Sequence, residues 1–326
     1  MSKRFLALGV CFALLLPVLA RAQTRQLQLR YEADLERLPP GAASAELWIP
    51  LAHDDPQQRI RSVKVEGADG GEVVHDARYG NAALHLTPKV PARVVVTYVV
   101  ERREEHHQLT GGMAAAAPAD PIITRWLKPD KLGSLTPTVQ SFTQKTTAGK
   151  TGTLAKVRAI YDFVVATMSY DKSGQGWGRG DIVWACDAKR GNCTDFHTLF
   201  VAMARAAGVP ARFEIGLPLP DERGQGEIPG YHCWARFYLD GQGWIPVDAS
   251  EAKKHLDKKE FFFGGHDVNR VQFTTGRDLR FPGMVGELNY FIHPYAEAGG
   301  KSIPVAYHYS YRDLSEPSDG QKRSKS

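Results

Sequence analysis

Cysteine is scarce in this chain: 326 residues hold four, and no two are spaced C-x-x-C. The usual zinc framework is therefore not written in the sequence, and no metal is expected. An excess of charge of one sign is lacking too. Lysine and arginine number 41 against 36 acidic residues, a formal net charge of +5. Lys3, Arg4 and Arg21 supply part of that excess; without the first 22 residues 38 basic residues face 36 acidic ones, and the net charge is +2. So balanced a surface offers no electrostatic footprint for nucleic acid. Beyond the N-terminus no apolar run nears the length of a membrane span. The glycines at 174, 176, 178 and 180 lack a strand-loop-helix setting and a Lys-Ser/Thr ending, so they do not read as a phosphate loop. No cofactor is expected, and no internal repeat or calcium-site motif is visible. With 43% hydrophobic and 10% aromatic residues, the chain is not globally disordered.

What is present begins with a targeting pattern. Lys3 and Arg4 precede an apolar run from Phe5 to Leu19, and Ala20-Arg21-Ala22 is a small-x-small cleavage site. Residues 1–22 thus read as a secretory signal cut after Ala22, which places the mature protein in the periplasm or outside the cell. Cys186, Cys193 and Cys233 remain, in a compartment where disulfides persist. If Cys193 is a reactive thiol, Cys186 and Cys233 are left as a possible bridge.

Residues 23–103 alternate as β-strands do, notably at Leu27, Leu29 and Tyr31. Five to seven short strands separated by Gly, Pro, Asp and Asn clusters suggest a small sandwich-like domain. Residues 104–150 read as a connector, with a flexible Gly-Gly-Met and alanine stretch and an apolar piece, Ile122 to Leu127, fit to dock. From Thr153 the spacing becomes helical through Leu154, Val157, Ile160, Tyr161 and Val164. A second helix is expected over 193–207, buried on Leu199, Phe200, Met203 and Ala206, and ended by Gly208-Val209-Pro210. Strands are expected at 211–217, 231–239 and 244–248. Residues 151–312 would form the catalytic domain with a C-terminal β extension, and 313–326 a disordered tail.

The chemistry centres on Gly191-Asn192-Cys193-Thr194-Asp195. A cysteine in the first turn of a helix sits among free N–H groups and the positive end of the dipole, which favour thiolate over thiol. A thiolate nucleophile needs a base, and the base needs a group to orient it. His232 and Asp248 supply that pair if they share a face of their hairpin. The two are symmetric about Asp240, so an odd-length loop there sets them opposite each other, and a two-residue turn does not. His197 lies one turn beyond Cys193 and is a rival base without an orienting partner. Asp267, Asn269 and Arg270 read as a solvated loop or an ion pair, with substrate contact by Arg270 a minor option. A zinc site from Cys186, Cys193, His232 and Cys233 is disfavoured, because His232 and Cys233 point to opposite faces of one strand.

Taken together, Gly191-Asn192-Cys193-Thr194-Asp195, His232-x-Trp234 and Trp244-x-x-Val247-Asp248 resemble the transglutaminase-like superfamily, over about residues 151–250. With the β-domain in front, the chain is similar to exported bacterial transglutaminase-like cysteine proteases. The resemblance implies an α+β fold, with a papain-like core in which the cysteine helix packs on an antiparallel sheet. It also implies a Cys193-His232-Asp248 triad acting on an amide, peptide or isopeptide carbonyl of a protein or peptide substrate. Animal transglutaminases add an oxyanion-stabilising tryptophan from the loop before the nucleophile. Trp177 is the nearest match, with Trp184 and Tyr170 behind it and core packing as the alternative for each. Hydrolysis is favoured over cross-linking to an amine, and a non-catalytic binding module is the third possibility. Cys233 departs from the family, where an apolar residue stands between the histidine and the tryptophan.

Overall fold

Every second residue of Thr24–Leu35 (β1) is buried, and Leu27, Leu29, Tyr31, Ala33 and Leu35 form one apolar ridge. That pattern sets the architecture, because a ridge of this length must be covered by a second sheet. In the structure, a computed structural model that describes residues 23–110 and 120–314, the cover is a β-sandwich. The strands of its N-terminal part are β2 (Glu46–Pro50), β3 (Gln58–Glu66), β4 (Glu72–His75), β5 (Ala82–Leu86), β6 (Ala92–Arg103) and β7 (Glu105–His106). The expected signal, the glycine-alanine stretch at 111–119 and the tail from 315 lie outside the described residues.

A helical layer follows: α1 (Pro121–Thr124), α2 (Pro137–Thr147), α3 (Thr153–Thr167), α4 (Ile182–Ala188) and α5 (Cys193–Ala206). The two-residue strands β8 (Ser169–Tyr170) and β9 (Arg190–Gly191) pair in parallel just before α5. Then come β10 (Ala211–Pro218), β11 (Gln225–Glu227), β12 (His232–Leu239), β13 (Gly243–Val247), α6 (Ala249–Lys254), β14 (Gly265–His266) and β15 (Arg270–Thr275). The chain finishes with β16 (Tyr295–Ala298), β17 (Lys301–Ile303) and β18 (Ala306–Asp313).

The sheets are ordered β11-β18-β1-β6-β3 and β17-β16-β2-β5-β4 in the sandwich, and β13-β12-β10-β15 in the papain-like part. This departs from the expected partition. The strands over 295–313 do not extend the domain that carries the cysteine. β18 runs antiparallel to β1 over Leu27↔Asp313 to Asp34↔Ala306, and β16 pairs with β2. The reason is apolar cover: Ile292, Ala296, Tyr309 and Tyr311 fill the same core as Leu27, Tyr31 and Leu47. The connector also does more than connect. Trp126 is buried and stacks on Tyr79 at 4.4 Å, and α2 packs on α3 and α5.

α5 differs from the amphipathic helix the spacing predicts. Its residues are buried from Cys193 through Arg205, all round the axis. A helix buried on every side is a central helix, and α5 is enclosed by α2, α3, α4, α6, β10 and β12. The β12-β13 hairpin has the odd loop the sequence requires, the three residues 240–242, but its centre is Gly241 rather than Asp240. Gln242 N–H closes a turn on Leu239 carbonyl at 3.0 Å, and Gly241 takes φ +76° in it. That positive φ is the type II requirement at the third turn residue, which glycine meets without strain. The shift by one residue pairs Ala235 with Val247, so Asp248 lies diagonal to His232 on the same face, not opposite.

Candidate active site

The first turn of α5 is built by its own side chains. Asn192 caps the helix, its Oδ1 accepting from Thr194 N–H at 2.9 Å, while Asp195 Oδ2 accepts from Asn192 N–H at 3.0 Å. This reciprocal capping box satisfies N–H groups that a helix start leaves orphaned. Gly191 is required, since a Cβ there would stand 2.1 Å from Asp195 Oδ2 at φ +143°. Asp195 also accepts from Gly178 N–H at 2.7 Å and Gly180 N–H at 3.1 Å, so one buried carboxylate fastens the glycine loop to the cysteine turn. Arg277, buried, holds the same loop by donating to the Gly180 and Arg179 carbonyls. Cys193 follows the cap with 2% of its surface exposed, and its N–H has no acceptor among the described residues.

His232 Nε2 is 2.7 Å from Asp248 Oδ2, which leaves Nδ1 as the nitrogen for Cys193. Burial pushes the Cys193 thiol up, but hydrogen bonds from Cys233 and His232 and the His232 charge outweigh it and hold the pKa well below the ordinary thiol value. Burial works against a charged His232 as well. The Asp248 carboxylate overcomes it, and the imidazole is pushed up to about 10. Both directions favour a thiolate–imidazolium pair over a neutral thiol and imidazole.

Asp248 is saturated. Oδ2 takes His232 and also Arg270 Nη1 at 3.1 Å; Oδ1 takes Ser250 Oγ at 3.1 Å and Glu251 N–H at 3.0 Å, which caps α6. Burial raises its pKa, yet His232 and Arg270 drive it well below the carboxylate range. Of the two main readings the sequence offered for Arg270, a solvated loop or an ion pair, the structure shows the ion pair, with Asp248 and Asp267. Arg270 is 2% exposed, its guanidinium carbon lies 5.0 Å from the Trp234 ring centre, and it ties β15 to the carboxylate. Trp234 is itself anchored, donating Nε1–H to Glu214 at 2.7 Å, and Glu214 with Glu105 brackets Arg236.

Three further residues fall differently from their sequence positions. His197 is not a rival base. Ala249 N–H donates to its Nε2 at 3.1 Å, which fixes the proton on Nδ1, and Nδ1 in turn donates to the Cys193 carbonyl at 2.8 Å. Trp177, expected near the thiol, donates its indole N–H to the Gly174 carbonyl at 3.2 Å within its own loop. Its ring is faced by Lys172 at 5.8 Å. Tyr170, behind it in the sequence reading, is half-buried, and burial and then the Cys193 charge raise its phenol. Cys186, Cys193 and Cys233 are all free thiols, so the Cys186–Cys233 bridge is absent. Cys186 packs in the helical core, whereas Cys193 and Cys233 share the other one.

A metal could be sought at His232, Asp248 and Glu251, whose ligand atoms lie within 4.8 Å of one another. The set is already filled. His232 Nε2 is on Asp248, Arg270 holds Asp248, and Lys254 pairs with Glu251. No helix among the described residues is long and apolar enough to cross a membrane.

Comparison with known proteins agrees with this geometry. Residues 140–249 match the model of the transglutaminase-like superfamily. An uncharacterised protein of Haemophilus influenzae is 29% identical over 81% of this chain and 85% of its own length. The crystal structure of a putative cysteine protease from Cytophaga hutchinsonii superposes with a TM-score of 0.62 at 17% identity, over 90% of this chain and 92% of that one; it shares the fold. The periplasmic domain of TgpA from Pseudomonas aeruginosa covers 72% of this chain and 90% of its own, at 16% identity and a TM-score of 0.39. With α5, β12 and β13 inside the matched segment, the part of the chain that holds Cys193, His232 and Asp248 belongs to the transglutaminase-like superfamily.

Proposed function

We propose that the protein is an exported, cysteine-dependent acyl-transfer enzyme that hydrolyses an amide, peptide or isopeptide bond of a protein or peptide. The observation that carries this reading is the buried His232–Asp248 contact of 2.7 Å, with Cys193 on the other ring nitrogen and at a helix N-terminus. In this reading Cys193 Sγ attacks the carbonyl carbon. The free Cys193 N–H supplies an oxyanion donor, while the indole N–H of Trp177 is turned to the Gly174 carbonyl. His232 gives its Nδ1 proton to the leaving amine, and a thioacyl intermediate forms on Cys193. Water, deprotonated by the now neutral His232, releases the acid. Asp248 keeps the imidazole in the required tautomer throughout.

Transfer to an amine would use the same intermediate. Hydrolysis is favoured because Glu251, the carboxylate 3.8 Å from His232 Nε2, is already neutralised by Lys254 and has no free charge to draw in an ammonium acceptor. Export rests on residues 1–22; protein recovered from the periplasm or medium of expressing cells is expected to begin at Gln23, and an intact Met1 in that fraction would remove this part of the reading.

The triad is tested by alkylation. Iodoacetamide should label Cys193 at pH 5.5 far faster than a free thiol, whose thiolate is scarce there. His232→Ala should abolish that advantage and lower turnover of a cleaved peptide by about 10²–10⁴-fold. Labelling no faster than a free thiol, with no response to His232→Ala, would leave a binding module in place of an enzyme.

A further inference from the structure

Cys233 is a buried thiol that forms no bond in the acyl transfer, and its position is unusual. Strand alternation sends it to the face opposite His232, as expected for neighbours on β12. But α5 packs on that face. The Cys233 sulfur lies 3.7 Å from Thr194 Oγ1 and 3.9 Å from His197 Nδ1, which itself bonds the Cys193 carbonyl. The two cysteines share one apolar core, with the Cys233 sulfur against the first turn of α5 that carries Cys193. Burial first, and then Cys193, push the Cys233 thiol well above its ordinary value. Cys186 is placed elsewhere, in the separate helical core, and burial raises its thiol to about 11.

We propose that Cys193 and Cys233 form a redox-modification site, in which a hydroperoxide oxidises Cys193 and Cys233 resolves the product as a reversible intramolecular disulfide. With hydrogen peroxide the step balances in two parts. The Cys193 thiolate attacks one peroxide oxygen, the O–O bond breaks, and the leaving hydroxide takes a proton from His232, giving Cys193 sulfenic acid and water. The Cys233 sulfur then attacks the Cys193 sulfur. The S–O bond breaks, and hydroxide leaves with the Cys233 proton as a second water. Each sulfur gives up one electron, and both peroxide oxygens are reduced to water. The bond closes off the nucleophile while sparing it the sulfinic and sulfonic acids, from which a thiol does not return. Two equivalents of a thiol reductant reopen it by exchange. This inference rests on the Cys193 thiolate of the proposed function, and the reduced protein's labelling at pH 5.5 reports that thiolate separately.

The experiment treats reduced full-length protein with hydrogen peroxide, blocks remaining thiols, and maps peptides by mass spectrometry. Wild type is expected to yield the 193–233 linked peptide and lose Cys193 alkylation, with full recovery in dithiothreitol. Cys186→Ala should behave identically. Cys233→Ala, labelled at Cys193 in its reduced form at a pH that ionises a free thiol, should pass under peroxide to sulfinic acid and recover nothing. Sulfinic acid on wild-type Cys193 at the rate seen in Cys233→Ala, or a bridge that runs to Cys186 or between molecules, would overturn the proposal. If Cys193 in the reduced protein is unreactive, it is the triad reading that fails.

Discussion

Asp248 carries more than one role. It accepts from His232, Arg270, Ser250 and the Glu251 N–H, and so joins β12, β15 and α6 at one carboxylate. Removing one partner of a buried pair leaves a charge without compensation, which costs about 3 kcal/mol or more. Arg270→Met should accordingly lower unfolding stability by about 3 kcal/mol in urea titrations. It should also move the acid limb of Cys193 labelling to higher pH, because Asp248 loses a cation that holds its pKa down. An unmoved limb with the same stability loss would make Arg270 merely structural. Cys193, His232 and Asp248, the residues of the proposed triad, could be picked out because each sits in a local context: a helix start, a strand, the end of the next strand. Arg270 was legible as one half of an ion pair, but not as the partner of Asp248, which is 22 positions away across α6 and β14. The place of Cys233 was half legible: alternation gave its face, but not what packs there.

At the level of elements, the cysteine turn and the glycine loop behave as one unit. Asp195 takes three backbone N–H groups, from Gly178, Gly180 and Asn192, and leaving such groups buried and unpaired costs about 1–3 kcal/mol each. Asp195→Ala should therefore lower the melting temperature, and limited proteolysis should cut first within 174–180. A protease pattern unchanged from wild type would sever the loop from the turn. The loop's glycines were visible in the sequence, but not their purpose, because their acceptor lies 15 to 17 residues further on. The hairpin is the complementary case. Parity required an odd loop and the loop is odd; its centre moved one residue because Gly241, rather than Asp240, takes the positive φ of the turn.

At the level of the molecule, the sandwich and the papain-like sheet do not separate at a boundary in the sequence. Cys193, Phe213 and Val271 share an apolar core with Leu27 and Tyr309. Residues 23–110 alone would lack β11 and β18 from one sheet and β16 and β17 from the other, baring the β1 edge. That fragment should show neither a cooperative thermal transition nor a dispersed amide spectrum, and either would restore an autonomous N-terminal domain. Strand alternation, a local property, told where the strands lie; it is silent on which distant strand will lie beside β1.

The pairing of β1 with β18 also has a consequence in time. Arg25 meets Asp313 across 288 positions of chain, so this sheet closes through one of the longest loops the polypeptide can make, and contacts of that span form slowly. A chain emerging N-terminus first presents an unfinished sheet until β18 arrives. If it crosses a membrane as an unfolded thread, the long wait keeps it threadable. It also delays assembly of the Cys193 thiolate until nearly all of the polypeptide has reached the far side.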